Sequence, residues 1–106
     1  MPDITVEELN ERQSNGEEIF LLDVREIFEY DIANLEGELI PLGELRDRLY
    51  EIDEYKDKEI VVHCRTGARS ADAVAFLKSE GFKNPRNLIG GIHEWARKVD
   101  PSIPQY

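Results

Sequence analysis

Ile60-Val-Val-His-Cys-Arg-Thr-Gly-Ala-Arg-Ser70 decides how this chain is read, and it contains the only cysteine among 106 residues. A short apolar, β-branched run stops at Cys64. A glycine-containing loop with two arginines follows, and an alanine-rich helical stretch opens at about Ser70. A thiol is thereby set at the carboxyl end of a buried strand, facing the amino end of a helix. Free backbone N–H groups and the helix dipole favour negative charge there. A cysteine so placed ionises easily, with a pKa drawn from about 8.5 toward 3.5–7.5.

Working outward, the same alternation recurs. Thr5-Val-Glu-Glu8 is a capping-box pattern and predicts a helix over 6–14 that stops at Gly16. Ile19-Phe-Leu-Leu-Asp-Val24 reads as a buried parallel strand, Glu26 to Ile32 as a short helix, and Leu39-Ile40 as a short strand before Pro41. Leu42, Leu45 and Leu49 stand at helical spacing, and the helix from about Ser70 to Glu80 ends at Gly81. Asn87-Leu-Ile89 reads as a last strand running through Gly90-Gly91 into a helix around 93–98. Strands alternating with helices predict an α/β domain, a central parallel sheet of about five strands with helices on both faces, and residues 1–106 as one domain. Ligands of such sheets sit at the carboxyl ends of the strands, where Asp23, Cys64 and Gly90 each fall.

Composition narrows the function classes. The hydrophobic share is 41% and the charged share 34%, as in globular chains. No apolar run approaches the ~20 residues of a membrane span, and the amino end lacks signal-peptide character. A lone cysteine makes no intrachain disulfide, so a reducing cytoplasm is the expected location. The net charge of −10 argues against nucleic acid and anionic membranes as partners. That charge is uneven: residues 1–60 carry −13 (6 basic, 19 acidic) and residues 61–106 carry +3 (7 basic, 4 acidic). The half holding Cys64 is therefore locally basic. With one cysteine and only His63 and His93, a zinc site is not expected. His63 points away from Cys64 if the strand alternates faces, and Trp95 reads as core.

Four blocks together resemble the rhodanese-like sulfurtransferase domain. They are Leu-Leu-Asp23-Val-Arg25-Glu with Glu29-Tyr30, Val-His-Cys64-Arg-Thr-Gly-Ala-Arg69-Ser70, Leu77-Lys-Ser-Glu-Gly81-Phe82, and Leu88-Ile-Gly90-Gly91-Ile-His-Glu-Trp95. They occur in the family's order and span nearly the whole chain. The family's usual Gly-His-Ile-Pro-Gly-Ala stretch is replaced by Ile32-Ala-Asn-Leu-Glu-Gly-Glu-Leu-Ile-Pro-Leu-Gly-Glu-Leu45. That variant and the tail Val99-Asp-Pro-Ser-Ile-Pro-Gln-Tyr106 are similar to the rhodanese domain joined to E1-like enzymes that activate sulfur-carrier proteins.

The resemblance implies a sulfurtransferase in which Cys64 takes the outer sulfur of a thiosulfate-like anion or a persulfide donor, becomes a persulfide, and passes that sulfur to a thiophilic acceptor. A sulfur-carrier protein or an E1-like enzyme becomes a candidate partner, with no cofactor and no metal, and nothing demands more than a monomer. The loop Arg65, Thr66, Gly67, Ala68, Arg69 and Ser70 would hold the persulfide. Its N–H groups suit an anionic sulfur, Gly67 gives backbone freedom, and Arg65 and Arg69 can pair with an anionic donor or acceptor. Asp23 and Arg25 read as a partly buried pair ordering the loops, and Gly90 and Gly91 as a tight turn near the site.

Two other classes stay open. A phosphatase or arsenate reductase also uses a cysteine and an arginine around an anion, but the related phosphatases place five residues between them. Cys64 and Arg69 enclose four, a smaller cradle that suits sulfur. The other class is a non-catalytic rhodanese-like binding module, in which loss of the cysteine would be expected.

Overall fold

The computed structural model describes residues 3–106. Its elements, in chain order, are β1 (Asp3–Ile4), α1 (Val6–Ser14), β2 (Phe20–Asp23), α2 (Ile27–Ile32), β3 (Glu38–Leu39), β4 (Glu59–His63), α3 (Ala68–Ser79), β5 (Asn84–Leu88) and α4 (Gly91–Lys98). All five strands are parallel, in the order β1-β5-β4-β2-β3. The α/β architecture with a five-stranded parallel sheet is the one expected from the alternating pattern.

Strand periodicity divides the interior into two cores. On one face, Leu22 of β2 and Ile60 and Val62 of β4 pack with Ala73, Val74 and Leu77 of α3, and Cys64 joins this cluster. On the other, Leu21 and Val61 meet Val6 and Leu9 of α1 and Trp95 of α4. Helices thus cover both faces, and β4 is buried along most of its length because it lies at the centre of the sheet. Each fully buried Leu, Ile or Val here contributes about 1.5–3 kcal/mol of apolar transfer.

Several boundaries differ from the sequence reading. The leucines at 42, 45 and 49 do not form one α-helix. They lie in and beside two 3₁₀ segments, Leu42–Glu44 and Leu49–Tyr55. A spacing of three suits a 3₁₀ turn as well as an α-turn, and Arg48 between the segments leaves helical geometry at φ −114°, ψ 14°. The final strand covers Asn84–Leu88 rather than 87–89, and Ile89 is exposed. Among the described residues β1 pairs with β5 only at Asn87 and Leu88, so Pro85 is not required to donate to β1. The two-residue β1 carries no readable period and went unrecognised. Helices α3 and α4 each begin two residues earlier than expected, at Ala68 and Gly91, because glycines start both.

Among the described residues, no helix is long and apolar enough to cross a membrane. Nor does any group of three or more His, Cys, Asp or Glu side chains there form a metal-binding cluster.

Candidate active site

Cys64 follows the last residue of β4, and the chain turns from it through Gly67 into α3. Gly67 is the N-cap, at φ 113°, and no side chain caps the helix. The sulfur takes that part instead. Cys64 Sγ accepts from the Gly67 N–H at 3.1 Å and from the Ser70 N–H at 3.4 Å. Ser70 stands three residues after the N-cap, the position whose N–H an N-cap side chain normally satisfies. A thiolate here is a capping anion at the positive end of a 12-residue helix.

The residue is buried, with 1% exposed. Burial alone pushes the thiol pKa up. The Ser70 hydroxyl at 3.3 Å and the N–H groups of Ser70, Gly67 and Thr66 outweigh burial and hold it below its ordinary value. Arg65 and Thr66 are exposed on the outer side of the loop, Ala68 likewise, and Arg69 is partly covered.

A second layer braces this loop from α4. The N–H groups of Ile92 and His93 donate to the carbonyls of Cys64 and Arg65, both at 3.0 Å. That approach requires glycine at 91, where φ is +59° and a Cβ would stand 2.5 Å from the Cys64 oxygen and 2.6 Å from the Arg65 oxygen. Gly90 and Gly91 therefore make the strand-to-helix turn and seat α4 on the cysteine's own backbone. His93 contributes its backbone N–H to that contact.

Asp23 and Arg25 form a fully buried pair rather than a partly buried one, with both side chains at 0% exposure. Arg25 donates from Nε to Asp23 Oδ1 at 2.9 Å and from Nη2 to Oδ2 at 2.7 Å. Its other protons go to the carbonyls of Ala33 and Glu29 and to the Tyr106 hydroxyl. The guanidinium is thus satisfied in full, as a buried charge requires. This pair orders the α2 loop. It does not touch the sulfur: Asp23 is paired in register with His63, and side-chain alternation along β4 turns that position away from Cys64. Burial drives His63 below the usual imidazole pKa, and neither ring nitrogen has a hydrogen-bond partner among the described residues.

Sequence reasoning missed three participants. Glu29 of α2 is buried and receives Arg69 in a bidentate pair at 2.6 and 2.8 Å. Arg69 holds the Glu29 carboxyl well below the usual range, at about 2, against the effect of burial. Arg69 is consequently occupied as a loop tie, while Arg65, the other arginine of the loop, has no carboxylate partner among the described residues. Tyr106 donates to Glu29 at 2.9 Å, and its ring lies beneath the Arg65 guanidinium, 5.0 Å from carbon to centroid. Asn87, at the end of β5, accepts from the Ser70 hydroxyl at 2.5 Å and donates to the Gly67 carbonyl at 3.3 Å. The capping-box pairing of Glu29 with the Glu26 backbone was a local signal for Glu29. Tyr106 and Asn87 carried none.

The fold and the site define a class: a parallel α/β domain that seats one thiol in a cradle of N–H groups at a helix start. Comparison with known proteins places it further. The rhodanese-like domain family model matches residues 5–98, and the chain belongs to that family. A protein of Allochromatium vinosum called sulfurtransferase is 38% identical over 107 residues, covering 95% of this chain and 94% of its relative. The adenylyltransferase and sulfurtransferase MOCS3-2 of Zea mays is 35% identical over 109 residues, covering 97% of this chain but 23% of its own length. The chain likewise spans only about half the length, 54%, of YrkF from Bacillus subtilis. Among solved structures, a rhodanese-related protein from Thermoplasma volcanium superposes with a TM-score of 0.81 at 32% identity, over 93% of this chain and 94% of that one.

Proposed function

We propose that this protein is a sulfurtransferase that carries a sulfane sulfur on Cys64. The observation that carries the reading is the sulfur's role as the capping anion of α3, with N–H donors already aimed at it. In the first half-reaction the Cys64 thiolate attacks the outer sulfur of a donor such as thiosulfate. A new S–S bond forms, the donor's S–S bond breaks, and its electron pair leaves with sulfite. In the second, an acceptor nucleophile such as cyanide or a thiol attacks the outer sulfur of the Cys64 persulfide, and the electron pair returns to Cys64 as thiolate. Neither step requires a general base once the thiol is ionised.

Each loop residue has a place in this reading. Thr66, Gly67 and Ser70 present N–H groups to sulfur, while Ala68 starts the helix. Arg69 fixes the loop through Glu29, and Arg65 meets the anionic donor or acceptor. Gly90 and Gly91 support the loop from behind, and Asp23 with Arg25 orders the α2 segment that carries Glu29. A small sulfur anion or a persulfide is the proposed donor. A sulfur-carrier protein or an E1-like enzyme is a candidate macromolecular partner, supported by the presence of the domain in the adenylyltransferase and sulfurtransferase MOCS3-2. A reducing, cytoplasmic location fits its one cysteine.

The test is intact mass after brief incubation with thiosulfate or a persulfide donor, on wild type and Cys64→Ser. A gain of one sulfur atom that depends on Cys64 and disappears with cyanide is the expected result. No gain from either donor would instead favour a binding module, and phosphate release from an aryl phosphate would favour a phosphatase.

A further inference from the structure

Ser70 has one hydroxyl proton and two neighbours that want it. Its oxygen lies 3.3 Å from Cys64 Sγ and 2.5 Å from Asn87 Oδ1. The orientation of the Asn87 amide is determined by its other end. The Gly67 carbonyl, 3.3 Å away, can only accept, so the Asn87 NH₂ group faces it and the amide oxygen faces Ser70. An amide oxygen can only accept in turn, so Ser70 donates to Asn87. What Ser70 then turns toward the sulfur is a lone pair. That arrangement suits a thiol, whose S–H can donate to Ser70, and it opposes a thiolate.

We propose that Asn87 is a positioning residue of the sulfur site: it holds the Ser70 proton while Cys64 is a thiol and yields it to the sulfur when negative charge sits there. The hydroxyl therefore follows the charge. It turns to Sγ as the thiolate forms, returns to Asn87 when the charge moves to the outer sulfur of the persulfide, and turns back when Cys64 is the leaving group. No bond to carbon or sulfur changes in this motion, and the proton stays on Ser70 throughout. The inference rests on reading Cys64 as the nucleophile, and it concerns that cysteine's ionisation rather than sulfur transfer itself.

Other charges near the sulfur are already accounted for. Arg69 is neutralised by Glu29, Arg65 stacks on Tyr106, and the Asp23–Arg25 pair with neutral His63 belongs to the other side of β4. The proton that Asn87 controls is thus the adjustable contact at Cys64, alongside the fixed N–H donors of the backbone.

Because the chain has one thiol, its ionisation can be followed by ultraviolet thiolate absorbance against a Cys64→Ser baseline. This works whether or not the protein transfers sulfur, so it is independent of the mass experiment. The set is wild type, Asn87→Ala, Ser70→Ala and the double variant. With Ser70 present, Asn87→Ala frees the hydroxyl for the sulfur and lowers the midpoint by about one pH unit relative to the same change made without Ser70. Asn87→Asp, which keeps the acceptor, does not lower it. At pH values above every midpoint, sulfur attack by Asn87→Ala slows about threefold per unit of lowered pKa, because a less basic thiolate is a weaker nucleophile. A shift of zero or of opposite sign in the Ser70-dependent comparison overturns the proposal, as does an equal drop in Asn87→Asp. Should Asn87→Ala not fold, Asn87→Ser, whose side chain is too short to reach both partners, gives the same comparison.

Discussion

Replacing Gly91 by alanine tests whether the backbone behind Cys64 is as tightly built as its geometry implies. Two costs add. The residue sits at φ +59°, where an L side chain costs about 1–2 kcal/mol. The new Cβ would also stand 2.5 and 2.6 Å from the carbonyl oxygens of Cys64 and Arg65, closer than such atoms approach. Something must move, and the two carbonyls in question are the acceptors for Ile92 and His93. Losing both hydrogen bonds adds about 1 kcal/mol each. The sum is about 3–4 kcal/mol, out of a total of about 5–15 for a domain of this size. The melting temperature should fall by about 15 °C.

Gly16 supplies the control. It too has a positive φ, +86°, but a Cβ there meets nothing within 4 Å. Gly16→Ala therefore bears only the conformational cost, about 1–2 kcal/mol. Urea unfolding followed by Trp95 fluorescence measures both variants. If Gly91→Ala costs no more than Gly16→Ala, the close contact between α4 and the cysteine backbone is not a real constraint, and the reasoning fails. If the larger cost is seen, the thiol of Gly91→Ala should also titrate at higher pH, because the displaced loop presents its N–H groups less well.

Two further outcomes follow from the buried charges. Glu29 is lowered from its ordinary 4.5 to about 2, so its pairing stabilises the fold fully above pH 4.5 and is lost as pH falls through 2. With Arg69 about one-third exposed, screening reduces the stabilisation to about 2 kcal/mol; Glu29→Gln should lose that much at neutral pH and match wild type near pH 2 in urea melts. Arg25→Met leaves the Asp23 carboxylate buried without its partner and should cost about 3–5 kcal/mol, most of which returns in the double variant Asp23→Leu/Arg25→Met. An Arg25→Met cost below about 1 kcal/mol, measured by thermal unfolding, would mean that the pair is not a buried ionic one.

What the sequence determined by itself was whatever depends on neighbours along the chain. The apolar run before Cys64, the glycine after it and the alanine-rich stretch beyond define strand, turn and helix locally, and so they define the cradle. The same holds for β2 with its terminal Asp23 and for the capped helix α1. Tertiary structure decided what depends on residues far apart. Strand β1 exists only because Leu88 and Asn87 of β5 lie beside it, since two residues have no period to read. Glu29, 40 positions from Arg69, became that arginine's partner through the packing of α2 beside the loop, and so left Arg65 as the loop arginine with no carboxylate partner among the described residues. Asn87 reached Ser70 because β5 pairs with β4 and ends beside the start of α3. Hydrogen bonds of this kind leave no spacing signature, because the chain length between partners is set by the rest of the fold.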